Sequence, residues 1–284
     1  MRIALCNEVL QPMPFARQCE YAAALGYDGL EVAPGTLSPE PARMGAAERA
    51  AVRRAASDAG IVIVGLHYLL STPKGLSITS PDDAVRARTV DTMRALVELC
   101  ADFGGSYLVH GSKREVAPGE TREIATARAR DCFAAVAPVA QSFGMRYCVE
   151  ALSSDTTPVI NTIAEAAAIV DSVANPALRT MIDCNHAGRM EGQTLEQVMD
   201  RWLPTGKIGH IQINDINRRG PGQGPARFTP VFAALRRHGY CGEVSVEPLE
   251  YSPDGPGAAA RAIGYVRGIL EALDEADASC SGRV

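Results

Sequence analysis

Residues 143–150 read Phe-Gly-Met-Arg-Tyr-Cys-Val-Glu, and this stretch contains the pattern that decides the fold. An alanine-rich segment with the composition of a helix precedes it. Gly144 suits the left-handed position at the end of a helix, and the run at 146–149 suits a strand that is buried on both faces. Glu150 then closes the strand. The local pattern is therefore a helix, a glycine, a buried strand and a polar residue.

The same pattern recurs along the whole chain. From the second strand onward the closing polar residues are Glu31, His67, His110, Glu150, Asp183, Gln212 and Glu247, separated by 29 to 43 residues. Each interval is long enough for one strand and one helix, and Arg2–Cys6 supplies the first strand. Eight such units predict an α/β fold, a (β/α)8 TIM barrel, in which every right-handed crossover contributes an outer helix. A doubly wound sheet is the alternative, but no GxGxxG motif follows the first strand.

The sequence predicts a single domain. We expect the barrel to occupy residues 1–273, with its last outer helix near 256–273. Residues 274–284 have the composition of a frayed helix end, and we expect a flexible C-terminal tail there.

Composition argues against two classes of partner. The 28 basic and 33 acidic residues give a net charge of −5, which offers no global attraction to nucleic acid. The longest strongly apolar run, 61–70, is far shorter than the ~20 residues that a membrane helix needs.

The eight cysteines contain no CxxC pair, which is typical of reduced thiols, and Glu8 comes too early for a signal peptide. We expect a soluble, cytoplasmic protein.

Four of the closing polar residues come from consecutive predicted strands, five to eight. The C-terminal ends of barrel strands meet at one mouth, so these side chains should converge. Three carboxylates and an amide oxygen form a hard donor set that suits Mn²⁺ or Mg²⁺, with Co²⁺ also possible. In the alternative interpretation, Asp183 caps a turn and Glu247 pairs with an arginine. We predict one divalent metal and no organic cofactor, with the ligands Glu150, Asp183, Gln212 and Glu247.

Histidines and basic residues near the strand ends are candidate substrate contacts. His186 stands three residues after Asp183, where it could point into the mouth, and His67 and His110 could line the same cavity. Alternatively, a histidine on an apolar strand is a satisfied core residue, which applies best to His210. Lys113 follows strand four, and Arg218 opens a glycine-rich loop after strand seven. These cations leave room for a carboxylate or a phosphate on the substrate.

The motifs resemble those of the xylose-isomerase-like sugar isomerase and epimerase superfamily. They are Val149-Glu150-Ala151, Asp183-Cys184-Asn185-His186, the segment 209–218 and Ser245-Val246-Glu247-Pro248. The resemblance implies that the four predicted ligands hold one metal and that His186 and Arg218 bind substrate oxygens. It further implies that Glu150 and Glu247 act as base and acid, and that the protein forms a homodimer or homotetramer.

Two positions depart from the ketose 3-epimerases of that superfamily. Those enzymes place histidine where this chain has Gln212, and glutamine is more similar to the hydroxypyruvate isomerases. They also carry an acid where this chain has Thr156. The likeness to endonuclease IV fails in the loop after strand seven, which lacks the Asp-x-His pair that completes a trinuclear zinc site.

The residues favour proton transfer next to a carbonyl group. A metal-chelated hydroxy-carbonyl substrate would lose a proton to give an enediolate. We therefore predict an isomerase or epimerase of a small sugar, keto-sugar or hydroxy-oxo acid. A dehydratase such as those acting on inosose or 3-dehydroshikimate is the alternative, and a nuclease or a non-catalytic binding barrel is less favoured.

Overall fold

The computed structural model describes residues 1–112 and 114–281. Its parallel strands are β1 (Arg2–Cys6), β2 (Gly29–Val32), β3 (Val62–Leu66), β4 (Tyr107–His110), β5 (Arg146–Val149), β6 (Leu178–Asp183), β7 (Ile208–Ile213) and β8 (Glu243–Val246). Each strand pairs with the next in sequence, and β1 also pairs with β8, which closes the barrel. The predicted TIM barrel is confirmed.

Helices surround the barrel. They are α1 (Phe15–Leu25), α2 (Ala46–Asp58), α3 (Asp83–Phe103), α4 (Arg122–Ser142), α5 (Ile163–Val173), α6 (Cys184–Met190), α7 (Leu195–Trp202), α8 (Thr229–Arg237) and α9 (Gly255–Ser281). The sequence did not predict α6, a short helix that begins directly after β6. Within the described residues, no helix is both long and apolar enough to cross a membrane.

The helix boundaries follow local chemistry. Thr121 and Thr162 accept hydrogen bonds from backbone N–H groups in the first turns of α4 and α5. Gly26 and Gly104 adopt the left-handed conformation after α1 and α3, as the glycine pattern predicts. Helix α9 continues to Ser281, past residue 273, where we expected its end. Tail residues 282–284 lie outside the described residues.

Two apolar layers pack on the strands. The larger lies between the strands and the helices, and a small cluster fills the barrel interior, formed by Ala4, Val64, Tyr107, Val109, Cys148 and Met181. Side chains alternate along a strand. Within β4, Tyr107 and Val109 therefore face inward, while Leu108 and His110 face the helices. Polar side chains lie above the interior cluster, at the C-terminal mouth.

Candidate active site

The structure brings acidic side chains together at the C-terminal mouth of the barrel. Asn214 connects two of them, because its Nδ2 donates to Asp183 Oδ2 at 2.8 Å and to the backbone carbonyl of Glu247 at 3.1 Å. Ligand atoms of Glu150, Asp183 and His186 all lie within 4.8 Å of one another. Burial, and then the charges of Glu247 and Asp183, raise the pKa of Glu150 well above its usual range. These carboxylates are therefore close enough to repel each other strongly.

Glu150 lies against a glycine on the neighbouring strand end. A Cβ atom at Gly111 would lie 1.7 Å from Oε2 of Glu150, so only glycine leaves room for this carboxylate. Behind it, the buried guanidinium of Arg114 donates to the carbonyl oxygens of Val159 and Glu150, each at 3.0 Å. The position of Glu150 is thus fixed on both sides.

Asp183 lies at the boundary between β6 and α6. Its Oδ1 accepts the backbone N–H of His186 at 2.8 Å, so the residue does cap a helix. Its Oδ2 accepts only from Asn214 among the described hydrogen bonds and faces the other carboxylates. The capping interpretation and the ligand interpretation are therefore compatible, because each uses a different oxygen.

Helix α6 holds His186 in the mouth. Nδ1 of His186 accepts the backbone N–H of Ser153 at 3.0 Å, so the neutral ring carries its proton on Nε2. Burial lowers the pKa of His186, which favours this neutral form. The ring is 7% exposed and belongs to the same group of potential ligands as Glu150 and Asp183.

Gln212 is completely buried and is held by Glu31. Its Nε2 donates to Oε1 of Glu31 at 2.7 Å, while no described residue hydrogen-bonds to its Oε1. An unpartnered buried amide oxygen is costly unless something else, such as a cation, satisfies it. Gln212 therefore fits a metal ligand that binds through oxygen. The sequence did not indicate a role for Glu31, although Glu31 is the first of the polar residues that close the predicted strands.

His67 lies between two carboxylates. Its Nδ1 is 3.1 Å from Oε1 of Glu247, and its Nε2 is 2.9 Å from Oε2 of Glu8. Burial alone would lower the pKa of His67, but Cys6, Glu8 and Glu247 raise it well above its usual range. Burial raises the pKa of Glu247 to about 8; His67 opposes this rise, whereas Asp183 and Glu8 add to it. The sequence predicted His67 here but missed Cys6 and Glu8.

His110 does not lie in the mouth. Its ring packs edge-on against Phe133 of α4 with the centroids 5.1 Å apart, and its Nδ1 is 2.7 Å from the hydroxyl of Tyr147. Burial lowers its pKa to about 3, so the ring is neutral. The expectation that His110 contacts substrate does not hold, because strand alternation points Val109, not His110, into the barrel.

Arg218 and Lys113 are the two basic residues that the sequence predicted as substrate contacts. Arg218 lies at the rim, where its backbone carbonyl accepts the N–H groups of Leu249 and Glu250, each at 2.8 Å. Its side chain is 44% exposed, with Nε 3.4 Å from Oε1 of Glu250. The guanidinium is therefore accessible to a ligand at the mouth. Lys113 lies outside the described residues.

Comparison with known proteins finds sugar epimerases that are similar to this chain. D-psicose 3-epimerase of Agrobacterium fabrum is 27% identical over 240 residues, which cover 83% of this chain and 79% of that protein. L-ribulose-5-phosphate 3-epimerase of Salmonella paratyphi C is 24% identical over 268 residues, covering 88% and 90% respectively. A crystal structure of D-psicose 3-epimerase in the presence of D-fructose has a TM-score of 0.81 at 23% identity, covering 95% of this chain and 99% of that one.

A protein-family model matches most of the barrel. The model for the xylose isomerase-like TIM barrel matches residues 19–269, a range that includes β2 to β8 and the four predicted metal ligands. The chain therefore belongs to the xylose isomerase-like TIM barrel family.

Proposed function

We propose that the protein is a divalent-metal-dependent isomerase or epimerase of a small sugar, keto-sugar or hydroxy-oxo acid, and that it acts by proton transfer through an enediolate. The observation that carries this proposal is the group of buried carboxylates at the mouth, together with the unpartnered oxygen of Gln212, which is in register with Asp183 on the neighbouring strand. The names of the relatives, D-psicose 3-epimerase and L-ribulose-5-phosphate 3-epimerase, favour a sugar over an oxo acid.

The metal would be held by Glu150, Asp183, Gln212 and Glu247. Their oxygen atoms suit Mn²⁺ or Mg²⁺, and Co²⁺ is a further candidate. Burial and the neighbouring carboxylates raise the pKa of both Glu150 and Glu247, and this supports the assignment because a bound cation would stabilise the ionised forms. Such a cation would polarise a substrate carbonyl and make the neighbouring C–H bond more acidic.

Proton transfer would be performed by Glu150 and Glu247. A carboxylate with an ordinary pKa is a weak base at neutral pH, whereas one whose pKa approaches 7 or 8 can both accept and return a proton. Burial raises the pKa of Glu247 to about 8 before a cation binds, and a bound cation would lower it from that value. His67 would orient Glu247 through the 3.1 Å contact, and Gly111 would leave Glu150 the room that it occupies. His186 and Arg218 would bind substrate oxygens.

A dehydratase remains the second candidate, since it would use the same site. Removal of the proton next to the carbonyl, followed by loss of a β-hydroxyl group, gives an unsaturated product in place of an isomer. The sugar epimerases among the relatives favour isomerisation or epimerisation over this outcome.

Deuterium uptake is the experiment that tests the proposal. The protein would be incubated in D₂O with Mn²⁺ or Mg²⁺ and each of D-psicose, D-fructose, L-ribulose, their phosphates, hydroxypyruvate and 3-dehydroshikimate. We expect metal-dependent replacement of C–H by C–D in one ketose and the appearance of its isomer or epimer. Loss of water from a substrate would indicate that the protein is a dehydratase. If neither label nor product appears in any sample, the proposal is wrong for these substrate classes.

A further inference from the structure

We propose that the mouth of the barrel contains a second divalent-metal site, formed by Cys6, Glu8, His67 and Glu247. We call these residues the Cys6 cluster. It shares Glu247 with the metal centre described above, and in that respect it rests on the proposed function. Its other three ligands come from the first and third βα units.

The geometry of the Cys6 cluster fits a single ion. One potential ligand atom from each residue lies within 4.8 Å of all the others. Ligand atoms that share one zinc ion, at about 2.0 to 2.3 Å from it, lie within roughly 4.5 Å of each other, so only small side-chain shifts are needed. Nε2 of His67 and Oε2 of Glu8 are hydrogen-bonded at 2.9 Å, and an ion between them would replace the shared proton and widen this separation to about 3.3 Å.

The burial of the cluster is typical of a binding site with one open side. Cys6 is completely buried, and the side chain of His67 is 2% exposed. The carboxylates of Glu8 and Glu247 are 24% and 13% exposed, which leaves a path from solvent. Cys6 lies two residues after Ala4, which faces the barrel interior, and the thiol of Cys6 interacts with the side chain of His67.

The charge of the surroundings favours a cation. Besides Glu8 and Glu247, Glu31 lies 3.9 Å from Nδ1 of His67. Three carboxylates thus face one imidazole, which can carry at most one positive charge. A divalent ion would compensate the excess, and this is the usual arrangement where buried carboxylates converge.

The donor atoms distinguish this site from the neighbouring one. The centre at Glu150 and Asp183 offers oxygen atoms, which Mn²⁺ and Mg²⁺ prefer. The Cys6 cluster offers one sulfur, one nitrogen and two oxygen atoms, which suit zinc or cobalt. An ion in the cluster would engage Oε1 of Glu247 beside His67 and leave Oε2 for the other centre.

Cobalt binding tests the proposal, because a thiolate bound to Co²⁺ absorbs in the near ultraviolet and oxygen ligands do not. The full-length metal-free protein would be dialysed against Co²⁺, and its metal content and absorption spectrum would be measured. We expect two equivalents of cobalt and a thiolate-to-metal band. Cys6→Ser should remove the band and one equivalent, and Glu8→Gln should weaken the second site by more than about tenfold.

Cys132→Ser is the matched control, since Cys132 is also buried but lies on α4, where its thiol donates to the backbone carbonyl of Ile78 at 3.6 Å. This variant should keep both equivalents and the band. One equivalent without a thiolate band in the wild type would overturn the second site but leave the proposed metal centre intact. If no cobalt binds at all, both proposals fail. If Cys6→Ser does not fold, Glu8→Gln decides, because the side chain of Glu8 is partly exposed.

Discussion

The amide group of Gln212 is oriented by Glu31, which accepts its Nε2–H at 2.7 Å. This contact joins β7 to β2 through the barrel interior. Glu31 is itself fixed, because the hydroxyl of Tyr107 donates to it at 2.6 Å and Nε2 of His210 lies 2.8 Å away. Burial alone would raise the pKa of Glu31, but His210 and His67 lower it to about 2, so the carboxylate is ionised and can only accept. Glu31 therefore determines that Gln212 presents its oxygen.

Replacement of Glu31 by glutamine should weaken metal binding. The new side chain can donate as well as accept, so the orientation of the Gln212 amide is no longer imposed. We expect a loss of roughly 10- to 100-fold in Mn²⁺ affinity, measured by titration calorimetry. Glu243→Gln is the control, because Glu243 is buried at the opposite end of the barrel beside Arg146. An unchanged affinity in Glu31→Gln, or an equal loss in Glu243→Gln, would contradict the orienting role.

Gln212→His should retain the metal. An imidazole can donate one N–H to Glu31 and offer its other nitrogen as a ligand, which reproduces both functions of the amide. Gln212→Leu keeps the bulk but has neither group, so it should lose most of the metal. Elemental analysis of the purified, metal-equilibrated variants checks both expectations. Loss of metal in the histidine variant together with retention in the leucine variant would remove Gln212 from the ligand set.

Gly111→Ala should displace Glu150. The added Cβ would lie 1.7 Å from Oε2 of that residue, so the carboxylate must move away from its position. We expect a fall in activity of about 10²-fold or more, because small displacements of catalytic groups have large effects on rate. Circular dichroism should show an intact fold.

Gly264→Ala in α9 is the matched control for this substitution. No atom lies within 4 Å of its added Cβ, and alanine favours a helix over glycine by about 1 kcal/mol. This variant should be fully active and slightly more stable. Full activity in Gly111→Ala would show that Glu150 need not occupy its observed position.

Glu150→Gln and Glu247→Gln should each abolish most of the turnover. Glutamine keeps an oxygen that can bind a metal but cannot exchange a proton, and loss of a general acid or base costs typically 10²- to 10⁴-fold. Steady-state kinetics with the substrate found in D₂O would measure the effect. Glu123→Gln, on the exposed surface of α4, is the control. Activity near the wild-type level in both active-site variants would remove these residues from the mechanism.

The sequence predicted the parts of the site that lie at regular strand ends. Glu150, Asp183, Gln212 and Glu247 each lie at or next to the C-terminal end of a strand, and these strand ends meet at the mouth of a closed barrel. The fold was predictable for the same reason, since buried strands that end in a polar residue recur at intervals long enough for one helix each. Residues whose position depends only on this repeat could therefore be located without coordinates.

The remaining site residues depend on details that the repeat does not encode. His110 ends β4 as His67 follows β3, but their side chains face opposite sides, because the register shift between β2 and β3 alters the alternation. Cys6 and Glu8 come from an apolar strand and the 3₁₀ turn after it, which carry no motif. The role of Glu31 becomes visible only when β2 and β7 face each other across the barrel.

The stability of the metal-free protein should fall as the pH rises from about 5 to 8. Burial, with neighbouring carboxylates, raises the pKa of Glu150, and burial raises that of Glu247 from 4.5 to about 8. In this interval the folded state holds protons that the unfolded state has released, so raising the pH favours unfolding.

Mn²⁺ stabilises the ionised carboxylates, and its effect on Tm should be larger at pH 8 than at pH 5. Thermal scans with and without Mn²⁺ would measure both trends, and Glu150→Gln should flatten the metal-free profile. A metal-free Tm that is independent of pH, or a larger effect of Mn²⁺ at pH 5, would show that the carboxylates do not repel each other as the structure indicates.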